Sequence, residues 1–220
     1  MKSRSYDQFC ALACALDVVG ERWNLLIIRE LLPGPRRFKD LIEGLPGIST
    51  NLLSERLKDL EQEGILCRRV LPPPAGSTVY ALTAAGQALE AAVLELGRWG
   101  SRRLPASLEG IALPSLGAIT LALKAFFHPE RAQGVDETYE LRFGTEALQV
   151  RITDGELQVQ HGQAIEPAAV FHTDMQTFLG LFTGQLQADA ALAAGLVRID
   201  GDPGALSRFR RFCYVPGPPN

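Results

Sequence analysis

With 220 residues, 46% hydrophobic and 21% charged, the chain has apolar material for one large core or two small ones, which excludes a disordered sequence. A net charge of −3 argues against a uniformly basic nucleic-acid coat, and four cysteines form no disulfide framework of the secreted kind. No apolar run approaches the ~18 residues of a membrane helix. The N-terminus has no basic region leading into an apolar core, so no signal peptide and no membrane contact are expected, and the cytoplasm is the expected compartment. The charge is also unevenly placed. Residues 1–104 hold 14 Lys+Arg against 12 Asp+Glu, net +2, and the rest 8 against 13, net −5. The two halves therefore call for different partners.

In chain order, Phe9 to Val19 has a helical pattern ending at Gly20, and Glu21 to Leu32 a second, stopped by Pro33-Gly34-Pro35. A short third helix carries Phe38, Leu41 and Ile42 and ends near Gly44. From Gly47 to Gly64, Leu53, Leu57 and Leu60 make one apolar face, Ser49 stands at the N-cap and Gly64 at the stop. The other face opens with Thr50, Asn51, Ser54 and Glu55, then Lys58. Short hydrogen-bonding groups at the front of such a helix suit a major groove. Helices joined by a tight Gly/Pro turn match a helix-turn-helix. Ile65 to Leu71 and Thr78 to Leu82 read as strands joined by the Pro-rich turn Pro72 to Ser77, a hairpin wing with Arg68 and Arg69 on it. Thr83 caps a predicted long helix, Ala84 to about Arg103. Its stripe of Leu89, Val93, Leu96 and Trp99 asks for a second subunit.

Several segments of this half carry a resemblance. They include Phe9-Cys10, Ala15 to Trp23, Ile28-Arg29-Glu30-Leu31, Gly34 to Phe38, Leu45 to Ser49, Leu53 to Leu57, Glu63-Gly64 and Tyr80 to Thr83. Together they resemble the HxlR-type winged-helix regulators, a family related to the MarR type, over roughly residues 9–103. The resemblance implies a homodimer on double-stranded DNA with a pseudo-palindromic operator. Its first and last helices would form the dimer interface, with the Ser49-led helix in the major groove and the wing along the backbone. Carried onto this chain, it gives Ser49, Thr50, Asn51, Ser54 and Glu55 as groove residues and Arg36, Arg37, Lys39, Arg68 and Arg69 as phosphate contacts. Arg56 with Glu55, and Arg22, can instead pair inside the domain. Cys10 stands where many relatives carry an N-terminal cysteine, which in some is a redox sensor. Here Ala11 replaces the proline that usually follows. Free cysteines commonly fill small apolar sites, and that is the expected place of Cys10, Cys14 and Cys67.

Beyond Arg103 the character shifts, and Pro105 to Pro114 reads as a linker. A helix, Ser115 to Phe127, precedes alternating runs at Tyr139-Leu141-Phe143, Leu148-Val150-Ile152 and Leu157-Val159, with Asp154-Gly155 as a hairpin turn. Val170 to His172 and Leu196 to Asp200 read as further strands. Two helices lie between them, around Met175 to Phe182 and Asp189 to Ala194, and a last helix begins with Asp202 as N-cap and Pro203 at N1. Glu166 to Val170, Thr173-Asp174, Phe178 to Gly184, Gly195 to Leu206 and Phe209 make this half resemble the sterol-carrier-type, SCP2-like, domain over about 115–213. That implies a helix-covered sheet around an apolar tunnel. Phe126, Phe127, Phe143, Phe171, Phe178, Leu181 and Phe182 either line such a cavity for a lipid-like effector or fill a solid core.

The expected organisation is a winged helix-turn-helix over 1–104, mainly α with a β-hairpin wing. A linker at 105–114, an SCP2-like α+β domain over 115–215 and a tail at 216–220 follow. No catalytic or dinucleotide fingerprint is present, so neither an enzyme nor a cofactor is expected. His172 and Asp174 alternate onto one side of a strand and, with His161, would make a sparse metal set, although solvated polar residues are the ordinary reading. The expected function is a DNA-binding transcriptional regulator, modulated by an apolar ligand or through Cys10. The alternative is a lipid or acyl-group carrier whose winged helix mediates protein contacts.

Overall fold

The computed structural model describes residues 5–72, 76–105 and 107–214. The chain divides into two compact units, residues 1–93 and 94–220. The tail at 216–220, the middle of the Pro-rich turn (73–75) and residue 106 of the linker lie outside the described residues. No helix among the described residues is long and apolar enough to cross a membrane.

The first unit opens with α1 (Ala11–Val19) and α2 (Asn24–Leu31). The second helix begins three residues later than its apolar pattern suggests, because Trp23 at φ 86° takes the left-handed conformation ahead of it. That conformation is unusual for a bulky residue, and it makes a turn of Glu21–Trp23. Helices α3 (Phe38–Gly44) and α4 (Thr50–Gln62) follow. Leu53, Leu57 and Leu60 are all buried on the inner face of α4, with Ile27, Ile28, Leu31 and Leu41 in the same unit's core. Gly64 at φ 70° ends α4, and Ile65 N–H donates to Leu60 O as the chain turns into the hairpin. Strands β1 (Leu66–Val70) and β2 (Thr78–Leu82) pair antiparallel, with Arg68 opposite Tyr80.

The helix expected to run unbroken from Ala84 is two: α5 (Ala84–Gln87) and α6 (Glu90–Ser101). Thr83 caps α5 as expected, its hydroxyl accepting from Gly86 N–H. Gly86 is buried with its α-carbon against Ile65 O and Leu82, a place with no room for a Cβ. There Leu89 N–H bonds Gly86 O, a tighter three-residue step that breaks the α-helical ladder. No residue of α6 is buried, and Leu96 and Trp99 are 51% and 61% exposed.

The second unit starts α7 (Leu116–Ala125) after a Ser115 cap and builds a five-stranded sheet. Strands β3 (Asp136–Phe143), β4 (Glu146–Thr153), β5 (Glu156–His161), β6 (Ala169–Thr173) and β7 (Arg198–Gly201) lie in the order β5-β4-β3-β6-β7. The predicted Asp154-Gly155 turn is present with both residues at positive φ, as a two-residue hairpin requires. Strand β6 pairs parallel to β3, Leu141 opposite Phe171, so the sheet is mixed. Alternation puts Tyr139, Leu141, Val150 and Phe171 on one apolar face and Glu140 and Arg142 on the other. Buried Glu140 accepts from Arg142 Nε at 2.7 Å and from Ala164 N–H at 2.9 Å, which fastens the segment crossing from β5 to β6 onto the sheet.

Helices α8 (Met175–Phe182), α9 (Ala188–Ala193) and α10 (Ala205–Phe212) cover the apolar face. The last begins later than its Asp-Pro signal. Asp202 accepts from Gly204 N–H and from Arg208, so it caps a turn ahead of the helix, and Pro203 lies within that turn.

Candidate nucleic-acid interface and domain interior

Helix α4 is presented as a groove-entering helix must be. Ser49 Oγ accepts Leu52 N–H at 3.2 Å, satisfying one of the free donors of the first turn. Thr50, Asn51, Ser54 and Glu55 all stand exposed while the leucines behind them are buried, so the polar front is offered to solvent by a fixed helix. Ser54 Oγ donates back to Thr50 O at 2.8 Å, leaving its lone pairs to accept from outside. Arg56 is not part of this front. Its side chain is 15% exposed and pairs with Asp59 at 3.0 Å, Glu55 at 3.1 Å and Glu21 at 3.9 Å, holding α4 to the turn before α2. Arg22 lies over the Trp23 ring, its guanidinium carbon 5.5 Å from the centroid.

The five cations expected at phosphates occupy different settings. The backbone of Arg36 bridges Tyr80, donating at 3.0 Å and accepting at 2.8 Å, and adds a third short rung to the wing. Arg37 N–H donates to Asp40 at the start of α3, and Lys39 forms an exposed pair with Glu43 at 3.5 Å. Arg68 leans over the Tyr80 ring at 5.7 Å and meets Glu61 at 3.2 Å. Arg69 is exposed, on the outer half of β1. Exposed pairs of this kind contribute only about 0–1 kcal/mol, so phosphate can take these side chains over at little cost.

The cysteines depart from expectation. Cys10 and Cys14 are exposed, not buried, because α1 turns its outer face to solvent; Cys67 is half-buried and Cys213 buried. Burial alone pushes the Cys213 thiol up to about 12, so it stays protonated throughout the neutral range. Iodoacetamide at pH 8 should therefore modify Cys10 and Cys14 in the folded protein and reach Cys213 only after urea unfolding. Peptide mapping by mass spectrometry reads this directly, and early modification of Cys213 would contradict its burial.

Of the seven apolar residues expected at a ligand, Phe171, Phe178, Leu181 and Phe182 line an interior space that Leu141, Phe209 and Cys213 also border. That space is about 20 Å³, room for a single water. Phe126 packs edge-on to Phe182, and Phe143 to Phe178, while Phe127 is partly buried against the same core, its backbone paired with that of Cys213. The rings thus pack against one another, and the space among them falls far short of the ~300 Å³ and upward typical of ligand sites. Among the described residues no group of three His, Cys, Asp or Glu side chains gathers where a metal could be held. His172 Nε2 meets Asp200 at 2.8 Å and Arg198 at 3.0 Å, and Asp174 caps α8 through Thr177.

One cluster escaped the sequence reading. Arg131, Arg210 and Arg211 share an open groove of about 330 Å³ with Ser207 and Tyr214. They come from positions almost eighty residues apart, and no spacing rule signals them.

Comparisons with known proteins agree with both halves. Residues 18–107 match the HxlR-like helix-turn-helix family and residues 122–213 the SCP-2 sterol transfer family. The HTH-type transcriptional regulator YodB of Bacillus subtilis (strain 168) is 46% identical over 88 residues, 40% of this chain and 79% of that protein. The uncharacterized HTH-type transcriptional regulator YvaP of the same strain is 40% identical over 87 residues, 40% of this chain and 81% of that one. Among solved structures, the reduced form of the B. subtilis regulator YodB shares 40% identity, covering 46% of this chain and 99% of that chain, with a TM-score of 0.39. The chain belongs to the HxlR-like helix-turn-helix family of transcriptional regulators.

Proposed function

We propose that this regulator binds a pseudo-palindromic operator as a homodimer, α4 entering the major groove with Asn51 and its neighbours at base edges and Arg69 of the wing on phosphate. The observation that carries the reading is the capped α4, whose Leu53, Leu57 and Leu60 are buried and whose polar front of Thr50, Asn51, Ser54 and Glu55 is exposed. Two uncovered apolar faces support the dimer: Phe9, Leu12 and Leu16 at α1, and Leu96 and Trp99 on α6. Isolated apolar side chains on a surface are ordinary, but stripes at helical spacing favour a partner helix. On this reading the chain is a cytoplasmic binding protein and not an enzyme.

Titration of duplex DNA at increasing salt tests it. A regulator held by several phosphate contacts loses affinity steeply, log K falling linearly with log salt. Absence of binding at low salt would sink the reading. Asn51→Ala should weaken specific binding by about 1–3 kcal/mol and leave non-specific binding unchanged, as loss of a base contact does. An equal fall in both would make Asn51 a positioning residue.

Residues 122–213 are proposed as the effector half, although a lipid-like passenger requires the aromatic core to open. Native mass spectrometry of the purified protein tests for such a passenger. A second route to a signal is supported by the exposure of Cys10 and Cys14 four residues apart near the start of α1. Mild oxidation followed by a non-reducing gel distinguishes an intersubunit disulfide from none.

A further inference from the structure

We propose that the groove bordered by Arg131, Arg210, Arg211, Ser207 and Tyr214 is a binding site for a compact organic anion, a carboxylate or phosphate on a small apolar body. The inference rests on the reading of residues 122–213 as the effector half, but it moves the ligand from the closed interior to the surface.

Four observations carry it. First, the second half of the chain has net charge −5, yet three of its eight basic residues converge here. Second, they come from separate elements: Arg131 from the 3-10 turn Pro129–Arg131, and Arg210 and Arg211 from the end of α10. A helix C-terminus by itself favours cations, which accounts for two of the three but not for Arg131. Arg208, on the same helix, is by contrast saturated by Glu137 and Asp202.

Third, Arg210 Nε is buried and makes no hydrogen bond among the described residues. A donor hidden from water without an acceptor is destabilising, and an anionic oxygen that reached it as the side chain shifted would remove that cost. Arg131 meets Glu130 at 3.8 Å and lies over the Tyr214 ring, its guanidinium carbon 5.2 Å from the centroid, and Ser207 places a hydroxyl beside the three cations. Guanidinium forks match carboxylate and phosphate oxygens two at a time. Fourth, size limits the ligand. The groove, at about 330 Å³, lies at the small end of ligand sites, and the apolar space that it meets through Leu181 and Arg210 holds about 20 Å³. A long acyl chain has no room in that space, whereas a ring or a short chain can rest on Leu181; the Tyr214 ring is itself stacked on His128 at 4.7 Å and lies under Arg131 at 5.2 Å.

The test is calorimetric titration of the full chain with benzoate, phenyl phosphate, inorganic phosphate, neutral benzamide and palmitate at constant ionic strength. Saturable binding of benzoate or phenyl phosphate, with benzamide silent, is expected. Benzoate against phenyl phosphate separates the carboxylate from the phosphate source. Inorganic phosphate as tight as phenyl phosphate would remove the apolar body and overturn the proposal as stated. The Arg210→Gln and Arg211→Gln double variant should weaken binding at least tenfold. Arg131→Lys keeps the charge and loses the fork, so it should weaken binding less, and an unchanged melting temperature excludes misfolding as the cause. Palmitate that binds tightest and ignores the arginine variants overturns the proposal in favour of an interior lipid site. So does a loss of DNA affinity in the arginine variants without any small anion, which would make these side chains DNA contacts. Anion binding that leaves DNA affinity unchanged sustains the site while failing the effector reading.

Discussion

Phe171→Ala should destabilise the C-terminal unit by about 3–5 kcal/mol, the usual cost of removing a fully buried aromatic ring. Phe171 is 2% exposed and stands at the centre of a three-ring cluster, 5.7 Å from Tyr139 and 5.7 Å from Phe209. It also joins the two long-range parts of the fold, pairing with Leu141 across the parallel β3–β6 contact and with Ile199 on β7. Truncation to alanine deletes the ring and leaves a void continuous with the existing 20 Å³ space. The neighbouring Tyr139 and Phe209 rings are themselves buried and can close over the void only in part. Urea denaturation gives the magnitude. Hydrogen exchange should place the loss in β3, β6 and α10 and leave α4 protected. An apolar probe such as benzene should raise the melting temperature of the variant and not of the parent, because the new void is dry and apolar. A cost below about 1 kcal/mol would mean that the core refills the site and that the rings are interchangeable.

Leu57→Ala should cost the N-terminal unit about 2–5 kcal/mol. Leu57 is 1% exposed, flanked on the inner face of α4 by Leu53 and Leu60, both fully buried. Against a domain stability of about 5–15 kcal/mol this is a large fraction. Its effect on DNA differs in kind from that of Asn51→Ala. The apparent affinity for every sequence, specific or not, should fall with the folded fraction, and binding should recover on cooling toward the temperature of maximum stability. Retained melting temperature with selective loss of operator binding would place Leu57 at the interface instead of behind it.

The parts of the fold differ in how far the sequence makes them legible. Helix α4 could be read almost residue for residue, because a capping serine, a leucine stripe and a terminal glycine are local signals that tertiary contacts reinforce. The start of α2 could not, since the left-handed Trp23 has no counterpart in its residue type. The break after α5 is equally silent. Gly86 looks like a tolerated helical glycine until Ile65 and Leu82 are seen to press on it. Alternation marks β3 to β5 and the run Val170 to His172 marks β6, yet neither carries information about neighbours, so the parallel placement of β6 emerges only from the register. The phenylalanines show a further limit. A tunnel and a solid core call for the same apolar residues at the same positions, and only the distances between rings distinguish them. The surface arginines were illegible for the opposite reason, being ordinary one at a time and unusual only as a group.

The position of α10 bears on how the protein is made. Leu206, Phe209 and Phe212 reach the core from the last helix described, and Phe209 packs against the Tyr139 ring laid down seventy residues earlier. During synthesis the N-terminal reading head can close once its own hairpin has emerged, while the sheet of the second unit waits, its apolar face covered only in part by α8 and α9, until α10 leaves the ribosome. At about 5–20 residues per second that interval lasts several seconds. For that time the nascent chain presents a partly covered, phenylalanine-rich core to whatever it meets, which makes this half a natural client for chaperones and the part most exposed to misassembly when expression is fast.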